Sequence, residues 1–275
     1  MNIDVSTGVF TINGKFLMLA LDHRETFKKL LNPNDPKSVD KNEIINYKKE
    51  ILMSLKNKAS GFLIDDEYGL EAYKLLMIID TKPYLLAIEN SGYLEQNGGR
   101  LTVVEKTANE LKDKGALGVK LLIYFDKDNM TAGSQIRTAK AVLQDSHNND
   151  LPLFLEIVTY GPQRKNKVSS NVEYLLSNDI IPDVFKIEYP GSADECKKIT
   201  KILRETPWIL LTKGTDYTEF CDQLRVSSQN GCSGFLAGRS LWQDLLNIKD
   251  PHEKDRFLKE TLPSRFDEIT KIAKS

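Results

Sequence analysis

Short apolar runs alternate with longer amphipathic segments along the whole chain. Eight runs of four to eight residues have the length and the β-branched or aromatic content of buried strands. In chain order they are Phe16–Leu21, Gly61–Ile64, Tyr84–Ile88, Gly118–Tyr124, Leu153–Val158, Asp183–Pro190, Trp208–Leu211 and Gly234–Ala237. Segments with helical periodicity separate them, and we find no hairpin signal between the runs. This alternation with short linkers predicts a parallel sheet.

The helices are predicted from apolar stripes and from capping residues. Three segments have an N-cap residue followed three positions later by glutamate, a pattern that begins a helix. They are Thr102–Glu105, Ser192–Glu195 and Asp216–Glu219. Further helices are predicted after the polar segment Ser38–Asn42, over residues 134–147 and 172–176, and between residues 253 and 274.

The number of strand–helix units suggests how the sheet is arranged. Eight such units in roughly 250 residues are the size of a closed (β/α)₈ barrel, and an open doubly wound sheet is the alternative. We favour the barrel because polar side chains follow almost every strand at its carboxyl end, where a barrel keeps its active site. The predicted fold is therefore α/β, a (β/α)₈ TIM barrel, with residues 1–275 in a single domain.

Charge and composition argue against several classes of function. A formal net charge of −1 over 275 residues gives no electrostatic reason to bind nucleic acid or an anionic membrane. No apolar run approaches the roughly 20 residues of a membrane span, and the first residues are unlike a signal peptide. Three cysteines without metal-ligand spacing fit a reduced protein. We expect a cytoplasmic protein without a nucleic-acid or membrane partner.

Charged residues lie inside three successive apolar runs. Lys120 is in the fourth run, Glu156 in the fifth and Lys186 in the sixth. A charge inside a buried strand is costly unless it is paired or used. Because the three strands are consecutive, the pattern predicts a shared polar centre.

The Lys–Glu–Lys set is suited to imine chemistry. A lysine is a nucleophile only when part of it is neutral, and burial beside another cation favours the neutral form. Lys186 is predicted to be the nucleophile, with Lys120 as the neighbouring cation and Glu156 as the acid/base that carries protons. A purely structural ion-pair network is the alternative interpretation.

Two glycine-containing segments follow the seventh and eighth strands. Thr212, Lys213 and Gly214 form the first, and Gly238 with Arg239 begins the second. Barrel enzymes often bind a substrate phosphate at these two positions through backbone N–H groups. Arg239 is predicted to add a bidentate contact to the phosphate. An ordinary glycine turn with a surface arginine is the alternative.

Acidic and imidazole side chains complete the list of candidates. Asp22 and Asp65 end the first two strands and could bind sugar hydroxyls or orient Lys186, although aspartate is also a common loop starter. His23, His147 and His252 are too few for a histidine-rich metal site, and a carboxylate-held Mg²⁺ stays open. We therefore expect neither a metal nor another cofactor.

Six segments together resemble one known family. They are Ala20–Arg24, Ile64–Gly69, Val119–Tyr124, Phe154–Val158, Phe185–Pro190 and Gly234–Arg239. The resemblance is to the class I (Schiff-base) aldolases of the tagatose-1,6-bisphosphate aldolase and sulfofructose-1-phosphate aldolase family. It covers most of the chain, from about Phe16 to Trp242.

The resemblance implies a barrel that reversibly cleaves a ketose 1-phosphate, such as tagatose or fructose 1,6-bisphosphate, to dihydroxyacetone phosphate and an aldehyde. It implies that Lys186 forms the imine, that Glu156 carries protons, and that Lys120 and Asp22 assist. Arg239, with the backbone at Gly214 and Gly238, would hold the C1 phosphate. Family members also assemble, so a homo-oligomer, a dimer or a tetramer, is expected.

Two departures from the family pattern bear on the substrate. The family motif Asp-Gln-Arg reads Asp22-His23-Arg24 in this chain, and Lys213 stands where the family has a hydroxyl. Arg24 and Lys213 are candidates to meet an anionic tail of the substrate. The alternatives are a 6-deoxy-6-sulfofructose-1-phosphate aldolase that releases sulfolactaldehyde, a metal-dependent aldolase or isomerase, and a non-catalytic sugar-phosphate sensor.

Overall fold

Eight parallel strands close into a barrel in the computed structural model, which describes residues 5–76, 82–161 and 167–275. The strands are β1 (Lys15–Leu21), β2 (Gly61–Ile64), β3 (Tyr84–Ala87), β4 (Gly118–Tyr124), β5 (Leu153–Val158), β6 (Val184–Ile187), β7 (Trp208–Leu211) and β8 (Gly234–Ala237). Each strand pairs with the next in the chain, and β1 pairs with both β2 and β8. The predicted TIM barrel is confirmed. A single domain over all of residues 1–275 stays a prediction.

Helices cover the outside of the barrel. Those between strands are Glu25–Leu31, Lys41–Leu55, Gly69–Lys74, Ala108–Asp113, Ala132–Asn148, Val168–Ser177, Ala193–Leu203 and Tyr217–Ser228. After β8 come Arg239–Trp242, the 3₁₀ turn Gln243–Asn247, Pro251–Arg256, the π-helical segment Phe257–Thr261 and Leu262–Lys274. Short helical turns also occupy Val5–Gly8 and Pro36–Ser38. Ser192 and Asp216 cap their helices by accepting the backbone N–H of the glutamate three residues later, as predicted.

The connection after β3 differs from the prediction. It contains a hairpin, Leu94–Gln96 paired with Gly99–Leu101, turned at Asn97-Gly98 with both residues at positive φ. Asn-Gly is the strongest short hairpin signal, because both central residues of a type I′ turn need positive φ. The first of its strands is exposed, the second is buried or half-buried, and neither has an apolar alternation, which hid the hairpin in the sequence.

The helix predicted to begin at Thr102 is wrong. The Thr102 hydroxyl instead donates to the carbonyl of Leu122 in β4, 2.8 Å away, and helps to hold the hairpin on the barrel. The helix begins at Ala108, after a capping box in which Thr107 and Glu110 bond each other's backbone N–H. Both sites match the same four-residue pattern, and only tertiary contacts distinguish them.

The barrel interior is apolar near the amino ends of the strands. Phe10, Phe16, Met18, Phe154 and Leu236 are among the buried members of this cluster. The ring of Phe10 contacts that of Phe154 with their centroids 5.4 Å apart. A short strand, Thr11–Ile12, runs antiparallel to β1 beside this end. Within the described ranges, no helix has the length and apolar character needed to cross a membrane.

Candidate active site

A cavity of about 500 Å³ opens at the carboxyl ends of the barrel strands. Its walls include Asp22, His23, Lys120, Glu156, Lys186 and Arg239. These residues come from five different strands or the segments that directly follow them. The structure therefore brings together all four predicted catalytic side chains, Asp22, Lys120, Glu156 and Lys186, at the end of the barrel where active sites of this fold lie.

Lys186 points into the barrel from the middle of β6. It is directly paired with Glu156 in the register between β5 and β6. Its Nζ atom donates to Glu156 Oε2 at 2.8 Å, and the residue is only 4% exposed. Since side chains alternate along a strand, Phe185 and Ile187 face the outer core while Lys186 faces the cavity.

Lys120 occupies the centre of a group of carboxylates. Its Nζ atom lies 2.9 Å from Asp22 Oδ2, 3.1 Å from Glu156 Oε2 and 2.5 Å from Glu89 Oε1. Burial opposes the charged form of Lys120, but the charges of Asp22, Glu156 and Glu89 outweigh it and raise the pKa well above its ordinary value. Lys120 is a fixed cation that donates hydrogen bonds to Asp22 and Glu89 and forms an ion pair with Glu156.

Two carboxylates of the site, Glu156 and Asp22, are held in their ionised forms. Burial alone would raise the pKa of Glu156, but Lys120 and then Lys186 lower it below its ordinary value. Asp22 behaves in the same way: burial opposes ionisation, and the charge of Lys120 dominates and lowers the pKa. At neutral pH Glu156 can therefore accept a proton.

Glu89 is a member of the site that the sequence analysis missed. One of its oxygens accepts from Lys120, and the other accepts the backbone N–H of Leu122 at 3.2 Å. The residue is 5% exposed, although it lies beyond the last residue of β3. The available signal was its position after a buried strand, which it shares with Asp22 and Asp65.

The segments after β7 and β8 meet at Arg239. Gly214 has a φ of +73°, and a Cβ atom there would lie 2.8 Å from the Arg239 guanidinium carbon. Burial lowers the pKa of Arg239, while Glu156 and Asp22 oppose that effect. Gly238 lies against His23 and the carbonyl of Ala20, and a Cβ atom there would be 3.1 Å from the imidazole. Thr212 lines the same cavity, and its carbonyl accepts the Thr215 N–H at 3.0 Å.

His23 is a neutral group inside the site. Burial lowers its pKa to about 4, and Asp22 only partly offsets that effect. Its Nδ1 atom lies 3.6 Å from Asp22 Oδ1, which is too far for a hydrogen bond, and it has no hydrogen-bond partner among the described residues. The imidazole packs edge-on against Trp242 with centroids 5.3 Å apart.

Arg24 lies on the β3 side of the cavity. Its Nη2 atom donates to the Glu89 carbonyl at 2.9 Å. Lys29, which the sequence analysis did not select, lines the same cavity. The cavity therefore has a second cationic region besides Arg239.

Asp65 does not reach the cavity, contrary to the expectation that it binds sugar hydroxyls or orients Lys186. It forms an ion pair with Lys48, and both side chains are fully buried. The Asp65 carboxylate also accepts the backbone N–H of Tyr68 at 2.7 Å. Lys48 in addition donates to the carbonyls of Leu21 and His23, each at 2.9 Å. This pair fixes the backbone on both sides of Asp22.

Lys213 lines the cavity but does not present its ammonium freely for an anionic tail. It forms an ion pair with Glu188 and donates to the Thr159 carbonyl at 3.0 Å. Among the described residues, no group of three or more His, Cys, Asp or Glu is arranged to hold a metal ion. His147 pairs with Asp183 away from the cavity, and His252 is exposed.

The fold and the site define a barrel enzyme with a buried lysine–carboxylate centre at the carboxyl ends of its strands. Residues 16–244 match the model of the family described as DeoC/LacD family aldolase. The chain belongs to this family, and the protein is an aldolase, a carbon–carbon lyase.

Curated relatives agree with this assignment. Tagatose 1,6-diphosphate aldolase 1 of Enterococcus faecalis is 28% identical over 261 residues, covering 82% of this chain and 79% of the relative. Tagatose 1,6-diphosphate aldolase 2 of Streptococcus pyogenes is 25% identical over 301 residues, covering 95% and 91%.

Two solved structures share the fold. One is an archaeal fructose-1,6-bisphosphate aldolase with its catalytic lysine bound to the carbinolamine intermediate, at TM-score 0.70 and 17% identity over all of both chains. The other is a Schiff base forming fructose-1,6-bisphosphate aldolase, at TM-score 0.66 and 20% identity over 95% of this chain and 100% of the other.

Proposed function

We propose that the protein is a class I aldolase in which Lys186 forms a Schiff base with the C2 ketone of a ketose 1-phosphate. The observation that carries this assignment is the difference between the three buried lysines of the described residues. Lys48 and Lys120 each contact three acceptors, whereas Lys186 donates to Glu156 alone. Lys186 therefore has the fewest interactions to lose when its nitrogen forms a covalent bond to carbon.

The reaction balances without an external acid or base. Glu156 takes one proton from Lys186 Nζ, the neutral amine adds to C2, and Glu156 returns that proton to the former ketone oxygen, which leaves as water to give an iminium ion. Glu156 takes the proton of the C4 hydroxyl, the C3–C4 bond breaks, and its electron pair moves into the iminium to give an enamine. The aldehyde departs. Glu156 returns the proton to C3, and water hydrolyses the iminium to release dihydroxyacetone phosphate, with the remaining proton returning to Lys186 Nζ.

Lys120 and Asp22 support this sequence by their charges. The permanent cation of Lys120 keeps Glu156 ionised, so that Glu156 can act as the base. Asp22 binds Lys120 and lines the cavity, where it can also orient substrate hydroxyls. Because Lys120 already contacts three carboxylates, its role is electrostatic rather than nucleophilic.

The charges of the cavity favour a substrate with two anionic ends. The C1 phosphate is assigned to Arg239, with the backbone at Gly214 and Gly238, and Thr212 beside them. The second anion is assigned to the region of Arg24 and Lys29. The names of the curated relatives support a bisphosphate such as tagatose or fructose 1,6-bisphosphate. The same second region would also accept the sulfonate of sulfofructose 1-phosphate.

Reductive trapping tests the nucleophile. The protein is incubated with dihydroxyacetone phosphate, reduced with borohydride, digested and examined by mass spectrometry. We expect the adduct on the peptide that contains Lys186 and none in a Lys186→Met variant. An adduct on Lys120 would exchange the two roles. Binding without any adduct would contradict the Schiff-base mechanism and favour a metal-dependent reaction, which EDTA should then abolish.

A comparison of substrates tests the second anion. Cleavage of tagatose 1,6-bisphosphate, fructose 1,6-bisphosphate and sulfofructose 1-phosphate is measured in wild type and in Arg24→Met. We expect a bisphosphate to be preferred and its KM to rise in the variant. Preference for sulfofructose 1-phosphate would show that the second anion of the substrate is a sulfonate.

A cytoplasmic homo-oligomer, a dimer or a tetramer, remains part of this proposal, and sedimentation of the purified protein tests its assembly.

A further inference from the structure

A network of contacts connects the segments that follow β5, β6 and β7. Lys213, after β7, donates to the Thr159 carbonyl, after β5, at 3.0 Å and forms an ion pair with Glu188, after β6. The other oxygen of Glu188 accepts the Thr159 N–H at 2.6 Å. Thr159 and Glu188 are 1% and 7% exposed, and the Lys213 side chain is 27% exposed, so the charged contact is partly shielded from water. We call these three residues the loop link.

The loop link begins two residues beyond the proposed nucleophile. Glu188 is the first residue after β6, which contains Lys186. Leu211 and Lys213 line both the active-site cavity and a separate cavity of about 550 Å³ on the outer side. Glu188 lines only that outer cavity. The loop link is therefore part of the wall between the active site and the outside.

The backbone of the β7 loop requires such support. Lys213 has a φ of +47° and Gly214 a φ of +73°, so two successive residues adopt the left-handed conformation. For a residue with a Cβ atom this conformation is unfavourable and persists where surrounding contacts impose it. The contacts of the Lys213 ammonium with Glu188 and the Thr159 carbonyl are of that kind, because they tie the loop to the segments after β5 and β6.

The conformation of this loop places Arg239. The guanidinium of Arg239 packs onto the α-carbon of Gly214, where any side chain would occupy its position. The Arg239 Nε atom has no hydrogen-bond partner among the described residues, so packing on Gly214 contributes strongly to its orientation. A shift of Gly214 would therefore move the group that is assigned to the substrate phosphate.

We propose that Lys213 and Glu188 are positioning residues, which act together through the loop link to hold Gly214 and Arg239 in the geometry that binds the substrate phosphate. This inference rests on the proposed function, because it takes Arg239 as the phosphate ligand. It assigns Lys213 to the protein's own loop instead of to the anionic tail of the substrate.

The test uses binding of glycerol 3-phosphate, a phosphate monoester without a carbonyl that cannot form a Schiff base. Affinity is measured by calorimetry for wild type, Lys213→Met, Glu188→Gln and the double variant. We expect Lys213→Met and Glu188→Gln each to weaken binding, Lys213→Met by about tenfold, the size of one charge-assisted hydrogen bond. The double variant should bind no more weakly than Lys213→Met, because both changes break the same link.

Kinetics and a conservative variant separate positioning from general damage. In aldol cleavage, KM for the phosphorylated substrate should rise while kcat stays within about threefold, since ground-state binding is what changes. Lys213→Arg keeps a cation for Glu188 and should restore most of the affinity. Glu219→Gln, which changes an exposed carboxylate of the outer cavity, should leave affinity unchanged.

The outcomes also separate this inference from the proposed function. Unchanged affinity in Glu188→Gln together with a loss in Lys213→Met would show that Lys213 contacts the phosphate directly, and the inference would be wrong. Multiplying effects in the double variant would overturn it as well. If Lys213→Met does not fold, the affinities of Glu188→Gln and Lys213→Arg for glycerol 3-phosphate test the inference instead. If wild type did not bind glycerol 3-phosphate, the assignment of a phosphate site to Arg239 would be wrong, and this inference with it. Borohydride trapping on Lys186 tests the Schiff-base mechanism independently of that result.

Discussion

The two halves of the barrel interior differ sharply, although the same strands build both. Along β5, Phe154 faces the apolar end of the barrel, and Glu156, two residues later, faces the cavity. Along β6 the same change occurs from Val184 to Lys186. Two residues along a strand thus separate an apolar layer, whose burial stabilises the fold, from a layer that contains ion pairs. The comparison predicts that the two layers can be changed separately, one affecting stability and the other chemistry.

The largest effect is expected for Lys186→Met. Removal of the nucleophile should lower aldolase turnover by on the order of 10⁴-fold or more. Glu156 keeps Lys120 as a partner at 3.1 Å, so the thermal midpoint should change by only a few degrees. Turnover assays and thermal unfolding measure both. The exposed Lys197→Met is the matched control, and a folded Lys186→Met protein with near-normal turnover would contradict the assignment.

Lys120→Met should lower both stability and turnover, because this lysine forms ion pairs with Asp22, Glu89 and Glu156. Leaving buried carboxylates without their cation should cost about 3–5 kcal/mol of the free energy of unfolding at pH 7. The pKa values of Asp22 and Glu156 are lowered in the fold, so their contribution to stability is present above the unfolded values and is lost as pH falls through the folded values.

Without Lys120 the largest favourable charge is lost and that lowering is reduced, so the carboxylates should protonate at higher pH than in wild type. The stability difference between wild type and Lys120→Met should therefore be largest near pH 8 and smaller at pH 5. Urea unfolding at both pH values measures it. Lys112→Met, which breaks an exposed ion pair with Asp150, should show almost no difference at either pH. A difference that grows on acidification would contradict the electrostatic role of Lys120.

Phe10→Ala tests the apolar layer. Phe10 is fully buried, and its loss should destabilise the protein by about 3–5 kcal/mol. The kcat of the folded protein should stay within a few-fold, because the ring lies against Phe154 and not in the cavity. Chemical unfolding and turnover below the transition measure the two effects. Val9→Ala is the neighbouring control, since Val9 is 48% exposed.

The smallest effect is expected for His23→Gln. The folded pKa of His23 is about 4, against 6.5 for the free side chain. A lowered histidine pKa gives stability that is complete above pH 6.5 and is lost as pH falls toward 4, by up to about 3 kcal/mol. His23→Gln should remove this part of the pH dependence, which unfolding at several pH values would show. His252→Gln should leave it in place, and an unchanged slope in His23→Gln would contradict the burial of a neutral imidazole.

Some features of the site followed from local sequence and others did not. Lys120, Glu156 and Lys186 could be selected because a charge inside an apolar strand has few inexpensive explanations. Lys48 had a similar signal, since it falls on the apolar face of its helix with Ile44 and Ile51, but it was not selected. Glu89 had only its position after a strand.

Asp65 and Lys213 show why position at a strand end is an incomplete guide. Both were expected to meet the substrate because they follow barrel strands. The Asp65 carboxylate is directed away by Lys48, which arrives from the helix Lys41–Leu55. Lys213 is directed to Glu188 and Thr159, which lie on two other segments. In each case the partner is distant along the chain, so no local pattern could have revealed it.

The sequence by itself determined the alternation of strands and helices, the parallel sheet that this alternation implies, and the three charged residues inside strands. These depend on periods of two and 3.6 residues, which act over short stretches of chain. The tertiary structure alone decided which carboxylates surround Lys120, that Lys186 has a single partner, and that the lysine after β7 binds its own protein. Those outcomes depend on distances between segments that only barrel closure brings together.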